Sequence, residues 1–209
     1  MRPTYSIEQV LGSRSKVRVL RELVALSVPQ NAAQIAARTG LTRPAVGTVL
    51  AEFAAMGLVS TTPVGNARVH WLVRENAYVQ HLVEVVFRFE SGVPDMLVAD
   101  LRRTFAGAAE AVVLFGSYAR GEQGPASDID VVLVTADEAG KTALDELVAR
   151  EVRAFGCRWG ATLSALTYTA EEAAGLWRRS PDFQRSLEEE GVVIVGTAPW
   201  EWRSGIEEG

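Results

Sequence analysis

Leu114-Phe115-Gly116-Ser117-Tyr118-Ala119-Arg120 is followed by Gly121 to Ser127 and then by Asp128-Ile129-Asp130-Val131-Val132-Leu133-Val134. The reading of the chain turns on this stretch. The apolar run that opens at Ala111 predicts a short buried strand, which delivers the chain to Gly116 and Ser117. A helical turn starting there leaves backbone N–H groups free for an anion. Gly116 lets a phosphate come close, and Ser117 adds a hydroxyl donor. Arg120, one turn on, is placed to reach the same phosphates. Gly121 to Ala126 reads as a turn. Asp128 and Asp130 stand two apart on the next strand and so share a face, while Ile129 points into the core. Neighbouring carboxylates repel each other unless a hard divalent cation lies between them. Mg²⁺ (or Mn²⁺) with substrate phosphates suits such a pair. Gly116, Ser117 and Arg120 are therefore the candidate nucleotide-binding residues. Asp128 and Asp130 are the candidate metal-binding and catalytic pair.

On both sides of this stretch strands and helices alternate. Residues 138–155 read as a helix with Leu144, Leu147, Val148 and Val152 on one face. Ala161 to Tyr168 is a third strand. Helical sequence from about Glu171 is interrupted near Pro181 and stops at Gly191, and Val192 to Val195 is a fourth strand. Trp177, Trp200 and Trp202 are read as packing the C-terminal end. Cys157 lies in a Gly156-Cys157-Arg158-Trp159 turn as a plain small residue. Lys141 and Arg158 are read as solvated surface cations.

The first third has another character. Ser13 is an N-cap candidate ahead of Val17, Leu20, Leu23 and Val24 at helical spacing. Pro29 ends that helix. Asn31 caps a short second helix closed by Gly40. Thr42 caps a third, with Pro44 in its first turn and Val46, Val49, Leu50 and Phe53 on its buried stripe. Leu58 to Val64 and Ala67 to Val73, around Gly65-Asn66, make a hairpin. Residues 76–106 read as helical with a break at Gly92-Val93-Pro94. Tyr78 to Phe89 is apolar over most of its circumference, so it needs cover on more than one side: the other domain, or a second subunit.

The 209 residues carry a net charge of −5, with 48% hydrophobic and 22% charged residues, which argues against a largely disordered chain. Residues 1–75 hold nine Lys/Arg against four acids, and the remainder holds 12 against 22. A basic third on an acidic protein predicts a polyanion-facing part. A single cysteine excludes an intrachain disulfide and a Cys-rich zinc module. No run of about 18 apolar residues predicts a transmembrane helix. Met1-Arg2-Pro3-Thr4-Tyr5 lacks a signal-peptide core, so the expectation is a cytoplasmic protein with no membrane partner. His70 and His81 lack ligand-spaced partners and are read as structural.

Residues 14–73 resemble the winged helix-turn-helix of MarR/ArsR-like bacterial regulators, through Gly40-Leu41-Thr42 and the helix from Thr42 to Leu50. The resemblance implies binding to double-stranded DNA, with the third helix in the major groove and the hairpin on the backbone or minor groove. Arg43, Thr48 and Arg68 are the DNA-binding candidates. Gly47 permits close approach, and Arg14, Lys16, Arg18 and Arg21 are further phosphate candidates.

The Gly-Ser corner, the 12-residue spacing from Gly116 to Asp128 and the flanking apolar strands resemble the minimal DNA polymerase β-type nucleotidyltransferases over roughly 95–197. The fold implied is α+β: an N-terminal winged helix-turn-helix plus a C-terminal mixed sheet flanked by helices. The organisation implied is a DNA-binding domain over 1–75, a linker helix over 76–94, a nucleotidyltransferase domain over 95–197 and a tail over 198–209. The chemistry implied is attack of an acceptor hydroxyl on the α-phosphorus of an NTP, with ATP as the expected nucleotide and AMP as the group moved. Asp128 and Asp130 hold the metals in that scheme, and Gly116 and Ser117 hold the β/γ-phosphates. The family usually offers a third carboxylate on a later strand. Here Ser164 falls about where it would be, and Glu171 and Glu172 lie past the strand's end, where they open the next helix favourably. Two alternatives therefore stand beside transfer: a regulator whose weakened site only senses nucleotide, and an antitoxin-like partner protein. Residues 78–89 are the candidate interface of a homodimer.

Overall fold

Ser13, Asn31 and Thr42 each begin a helix by accepting a backbone N–H with the side chain, the first from Lys16, the second from Ala33 and Gln34, the third from Ala45. The computed structural model describes residues 4–204; the side chains of Trp177 and of residues 202–204 also lie outside the described set. The chain divides into two units, Met1–Val93 and Pro94–Gly209.

In the first unit, α1 (Ile7–Leu11) and α2 (Arg14–Ala25) precede a two-residue strand β1 (Gln30–Asn31), α3 (Ala32–Thr39) and α4 (Arg43–Ala55). A hairpin of β2 (Val59–Val64) and β3 (Ala67–Leu72) follows, and β1 pairs with β3 to give the sheet order β1-β3-β2. A π-helical turn (Val79–Val83) leads directly into α5 (Glu84–Phe105). Leu20, Leu23, Ile35, Val46, Leu50 and Phe53 form the core, and Val79, Val83 and Phe87 pack onto it from one stripe of the last helix. The apolar circumference of Tyr78 to Phe89 thus resolves into a buried stripe and an exposed one, on which Val85 is 51% and Phe89 62% accessible.

The break predicted at Gly92-Val93-Pro94 is absent: α5 runs through Pro94. An internal proline costs about 3 kcal/mol. Burial of Val79, Val83 and Phe87 before it, and of Leu97, Leu101 and Phe105 after it, offsets this at about 1.5–3 kcal/mol per side chain.

The second unit is a four-stranded mixed sheet flanked by helices. Its strands are β4 (Ala111–Phe115), β5 (Ile129–Thr135), β6 (Leu163–Thr169) and β7 (Val192–Val195), in the order β6-β5-β4-β7. β4 runs antiparallel to both β5 and β7, whereas β5 and β6 are parallel. The parallel pair needs a long crossover, supplied by α7 (Glu138–Trp159). Leu114, Ile129, Val131, Leu133 and Leu163 pack on one face with Leu144 and Phe155 of α7. Val113, Val132, Val134 and Phe115 face the other way, toward α8 (Ala170–Arg179) and α9 (Pro181–Glu190), where Trp200 also packs. A five-residue helix α6 (Gly116–Arg120) joins β4 to the loop before β5. No helix among the described residues is long and apolar enough to cross a membrane.

Candidate functional site

The site forms at one end of the second sheet, where three strands present adjacent positions. Phe115 is the antiparallel partner of Asp130, and Ser164 is its parallel partner on the other side. Register partners share a face and lie about 4.8 Å apart. Fully buried Ile129 anchors β5, so the exposed Asp128 and the half-buried Asp130 flank it at the sheet's end. Asp128 stands one residue before the strand rather than on it.

Gly116 follows Phe115 with φ +71°, a left-handed conformation that side chains other than glycine's adopt at a cost. A Cβ there would lie 2.6 Å from Asp130 Oδ2. The turn into α6 therefore passes directly over the Asp130 carboxylate. Ser117 lies in the first turn of α6, which has no side-chain cap. Gly116, Ser117 and Asp130 are thus brought to one corner, with Asp128 on the neighbouring loop.

Neither Asp128 nor Asp130 makes a side-chain hydrogen bond or ion pair with another described residue. The nearby cation is engaged elsewhere. Arg120 Nε donates to Glu122 Oε2 at 2.8 Å and its NH1 to Glu190 Oε2 at 2.7 Å. These bonds, that to Glu122 foremost, raise the guanidinium pKa above its ordinary value. Arg120 is therefore tied to α9 by carboxylates rather than open to a phosphate. The sequence offered no signal for the bond to Glu190, 70 residues away.

The donor set of Asp128 and Asp130 is hard oxygen, which fits Mg²⁺ or Mn²⁺ provided that phosphate oxygens and water complete the shell. No group of three or more His, Cys, Asp or Glu side chains that could hold a metal occurs among the described residues. Ser164 occupies the β6 position beside Asp130. Glu172 caps α8 through Thr169, and both of its oxygens accept from Lys141 Nζ, at 2.7 and 2.6 Å. The hydrogen bond from Lys141 foremost, and then that from the Thr169 backbone N–H, hold its pKa below the usual carboxylate value. Glu172 is therefore engaged away from Asp128 and Asp130 and does not supply the third carboxylate that the resemblance implies.

Residues 96–194 match the family model of the nucleotidyltransferase domain. The matched nucleotidyltransferase region contains the whole corner from Phe115 to Ser164. None of the curated proteins matches the chain. Among solved structures, the chain is similar to a "predicted DNA-binding transcriptional regulator from E. coli", at 17% identity over 42% of this chain and 84% of that one, with a TM-score of 0.34. It is also similar to a toxin–antitoxin crystallised with AMP-PNP, at 20% identity over 53% of this chain and 78% of that one, with a TM-score of 0.33.

The first unit carries the other predicted residues. Arg43 and Gly47 of α4 and Arg68 of β3 line one groove of about 700 Å³, together with Ala51, Thr61 and His70. Thr48 is exposed outside that lining, and its hydroxyl donates to Pro44 O at 3.1 Å. Arg43 and Arg68 have no ion pair among the described residues, whereas much of the basic cluster on α2 is neutralised. Lys16 meets Glu52 at 2.7 Å, and Arg21 makes two 2.7 Å bonds to Glu90. Arg18 donates to Thr39 O. His70 is nearly buried, with Nδ1 2.9 Å from Thr61 Oγ1. Desolvation, and then the Arg68 charge, lower its pKa from 6.5.

Proposed function

We propose that the second unit binds a nucleoside triphosphate, ATP being the nucleotide expected, with a divalent cation and transfers its nucleoside monophosphate to a hydroxyl acceptor. One observation carries this reading: two carboxylates without a protein partner sit at a sheet end, one of them directly under a glycine corner that only a small group could share. Asp128 and Asp130 would hold Mg²⁺. When bound, the ion would neutralise phosphate charge and favour ionisation of the acceptor hydroxyl. The chain's own residues position the reactants. The backbone at Gly116 and Ser117 would bind the β- and γ-phosphates, and the Ser117 hydroxyl adds a donor. The acceptor oxygen bonds to the α-phosphorus as the bond to the leaving pyrophosphate breaks. Arg120 joins only by exchanging its glutamate partners for phosphate. Labelled ATP with Mg²⁺ and cell extract tests the reading. A labelled acceptor with pyrophosphate release is expected, and the absence of both would refute transfer.

Ser164 favours a second reading. With two carboxylates instead of three, nucleotide is bound but turned over slowly, and the site acts as a sensor. The first unit would read double-stranded DNA as a winged helix, with Arg43 and Arg68 on phosphates or base edges along the groove between α4 and the hairpin. In that case ATP–Mg²⁺ must shift DNA affinity, since an effector acts only through unequal binding to two states. An unmoved DNA-binding curve would exclude the coupling.

A further inference from the structure

We infer that Glu190, the last residue of α9, is a positioning residue that holds Arg120 off the triphosphate and so sets how strongly the corner takes a nucleotide; this rests on the nucleotide reading above. Arg120 is the single Lys or Arg between Gly116 and Asp130, a stretch that carries three acids, Glu122, Asp128 and Asp130. It ends the five-residue helix that starts at Gly116, about 6 Å along the axis. It is the cation placed to meet phosphates at the corner. Two of its donors are spent on carboxylates instead, Nε on Glu122 Oε2 at 2.8 Å and Nη1 on Glu190 Oε2 at 2.7 Å.

The two glutamates differ in how they are held. Glu122 lies two residues from Arg120 on the same loop and is 67% accessible, so it moves with the arginine. Glu190 is fixed by the sheet. Val192, two residues on, pairs with Leu114 of β4. Leu187, three residues earlier, is fully buried, and a Cβ on Gly191 would lie 3.0 Å from Val113 Cγ1. The carboxylate is thus delivered from the chain that enters β7, beside the strand that ends in the corner.

Docking of α9 does not need this ion pair. Leu187 and the edge-on contact of Phe183 with Phe115, with centroids 5.7 Å apart, supply an apolar attachment. The pair is 38% and 36% accessible, and ion pairs so exposed contribute little to stability. Its effect falls on charge at the corner. A triphosphate that reaches Arg120 must displace Glu190 and then lie beside its negative charge, which like-charge repulsion opposes. Removing that one charge frees a guanidinium donor and lifts the repulsion together.

Titration calorimetry of the full chain with ATP–Mg²⁺ and with AMP–Mg²⁺ tests the inference on four proteins: wild type, Glu190→Gln, Arg120→Ala and the double variant. Glu190→Gln should bind ATP about fivefold more tightly or better. AMP, which has no β- or γ-phosphate, should gain nothing. The double variant should bind ATP no more tightly than Arg120→Ala. The melting temperature of Glu190→Gln should stay at the wild-type value, because the pair is half exposed and the amide oxygen still accepts from Arg120. An ATP affinity unchanged or weakened in Glu190→Gln, an equal gain for AMP, or a gain that persists without Arg120 would overturn the inference and leave nucleotide binding by the wild type standing. Absence of ATP heat from all four proteins would refute the nucleotide reading and the inference with it.

Discussion

A Cβ on residue 116 would come within 2.6 Å of Asp130 Oδ2. Gly116 and the Asp130 carboxylate are therefore one steric unit. Gly116→Ala should push the carboxylate aside and strain a backbone held at φ +71°, at about 1–2 kcal/mol. Thermal melting should fall modestly. On the proposed function nucleotide binding should fall by about tenfold or more, a larger relative loss, because the displaced carboxylate is one of the two proposed to hold the cation.

Ser164 is the parallel register partner of Asp130, so Ser164→Asp sets a third carboxylate oxygen donor on the same face about 4.8 Å away. Without metal the added charge should lower stability. With Mg²⁺ that loss should reverse, and NMP transfer should rise by about tenfold or more. The comparison is melting with and without Mg²⁺, then pyrophosphate release. A variant indifferent to Mg²⁺ would detach Ser164 from the site.

Arg43 and Arg68 share one groove, and neither is ion-paired among the described residues. Replacing both by alanine should weaken DNA binding across all sequences and reduce the slope of log K against log salt by about 2. Lys16→Ala should leave that slope nearly unchanged, because Glu52 and Gln9 O already hold the ammonium. Equal slopes for all three proteins would remove the groove from DNA recognition.

Desolvation, followed by the Arg68 charge, lowers the His70 pKa from 6.5. The unfolded chain therefore takes up a proton near pH 6.5 that the folded one refuses. The His70 contribution to stability is complete above that pH, declines as pH falls below 6.5 and levels off beneath the folded pKa. His70→Gln should flatten this part of the stability–pH curve. An imidazole NMR titration should give a midpoint under 6.5, and a midpoint at or above it would contradict the buried, neutral assignment.

Local chemistry made much of the fold legible. Ser13, Asn31 and Thr42 were readable as caps because capping needs only the residue and its next three neighbours. The hairpin followed from Gly65-Asn66 between β-prone runs. What failed was the weighing of local signals against packing. Pro94 suggested a break, but burial on both sides of it keeps α5 whole. Gly156 suggested a turn around Cys157, yet those residues are the last turn of α7, which ends at Gly160 in a left-handed cap. Strand β1 is two residues long and exists only through its pairing with His70 and Val69.

At the candidate site, the approach of the Gly116 turn to Asp130 was foreshadowed because it needs only a strand, a turn and the next strand, whereas Asp128, expected on that strand, stands one residue before it. The long-range partners were not foreshadowed. Glu190 reaches Arg120 across 70 residues. Asp100, 4% exposed, accepts from Arg158 at 2.9 Å, from Trp159 Nε1 at 2.8 Å and from Arg103, binding the start of the second unit to the end of α7. Such pairings depend on the tertiary fold and leave no periodic trace in the sequence. Trp177 and Trp202, read as packing residues, have side chains outside the described set.

Titration calorimetry of the full chain with ATP and Mg²⁺ addresses the proposed nucleotide site most directly. A saturable heat is expected, lost in the Asp128→Asn/Asp130→Asn double variant while its melting temperature is retained. No heat with any magnesium nucleotide, or the same heat from the double variant, would contradict a cation-bound triphosphate at this corner.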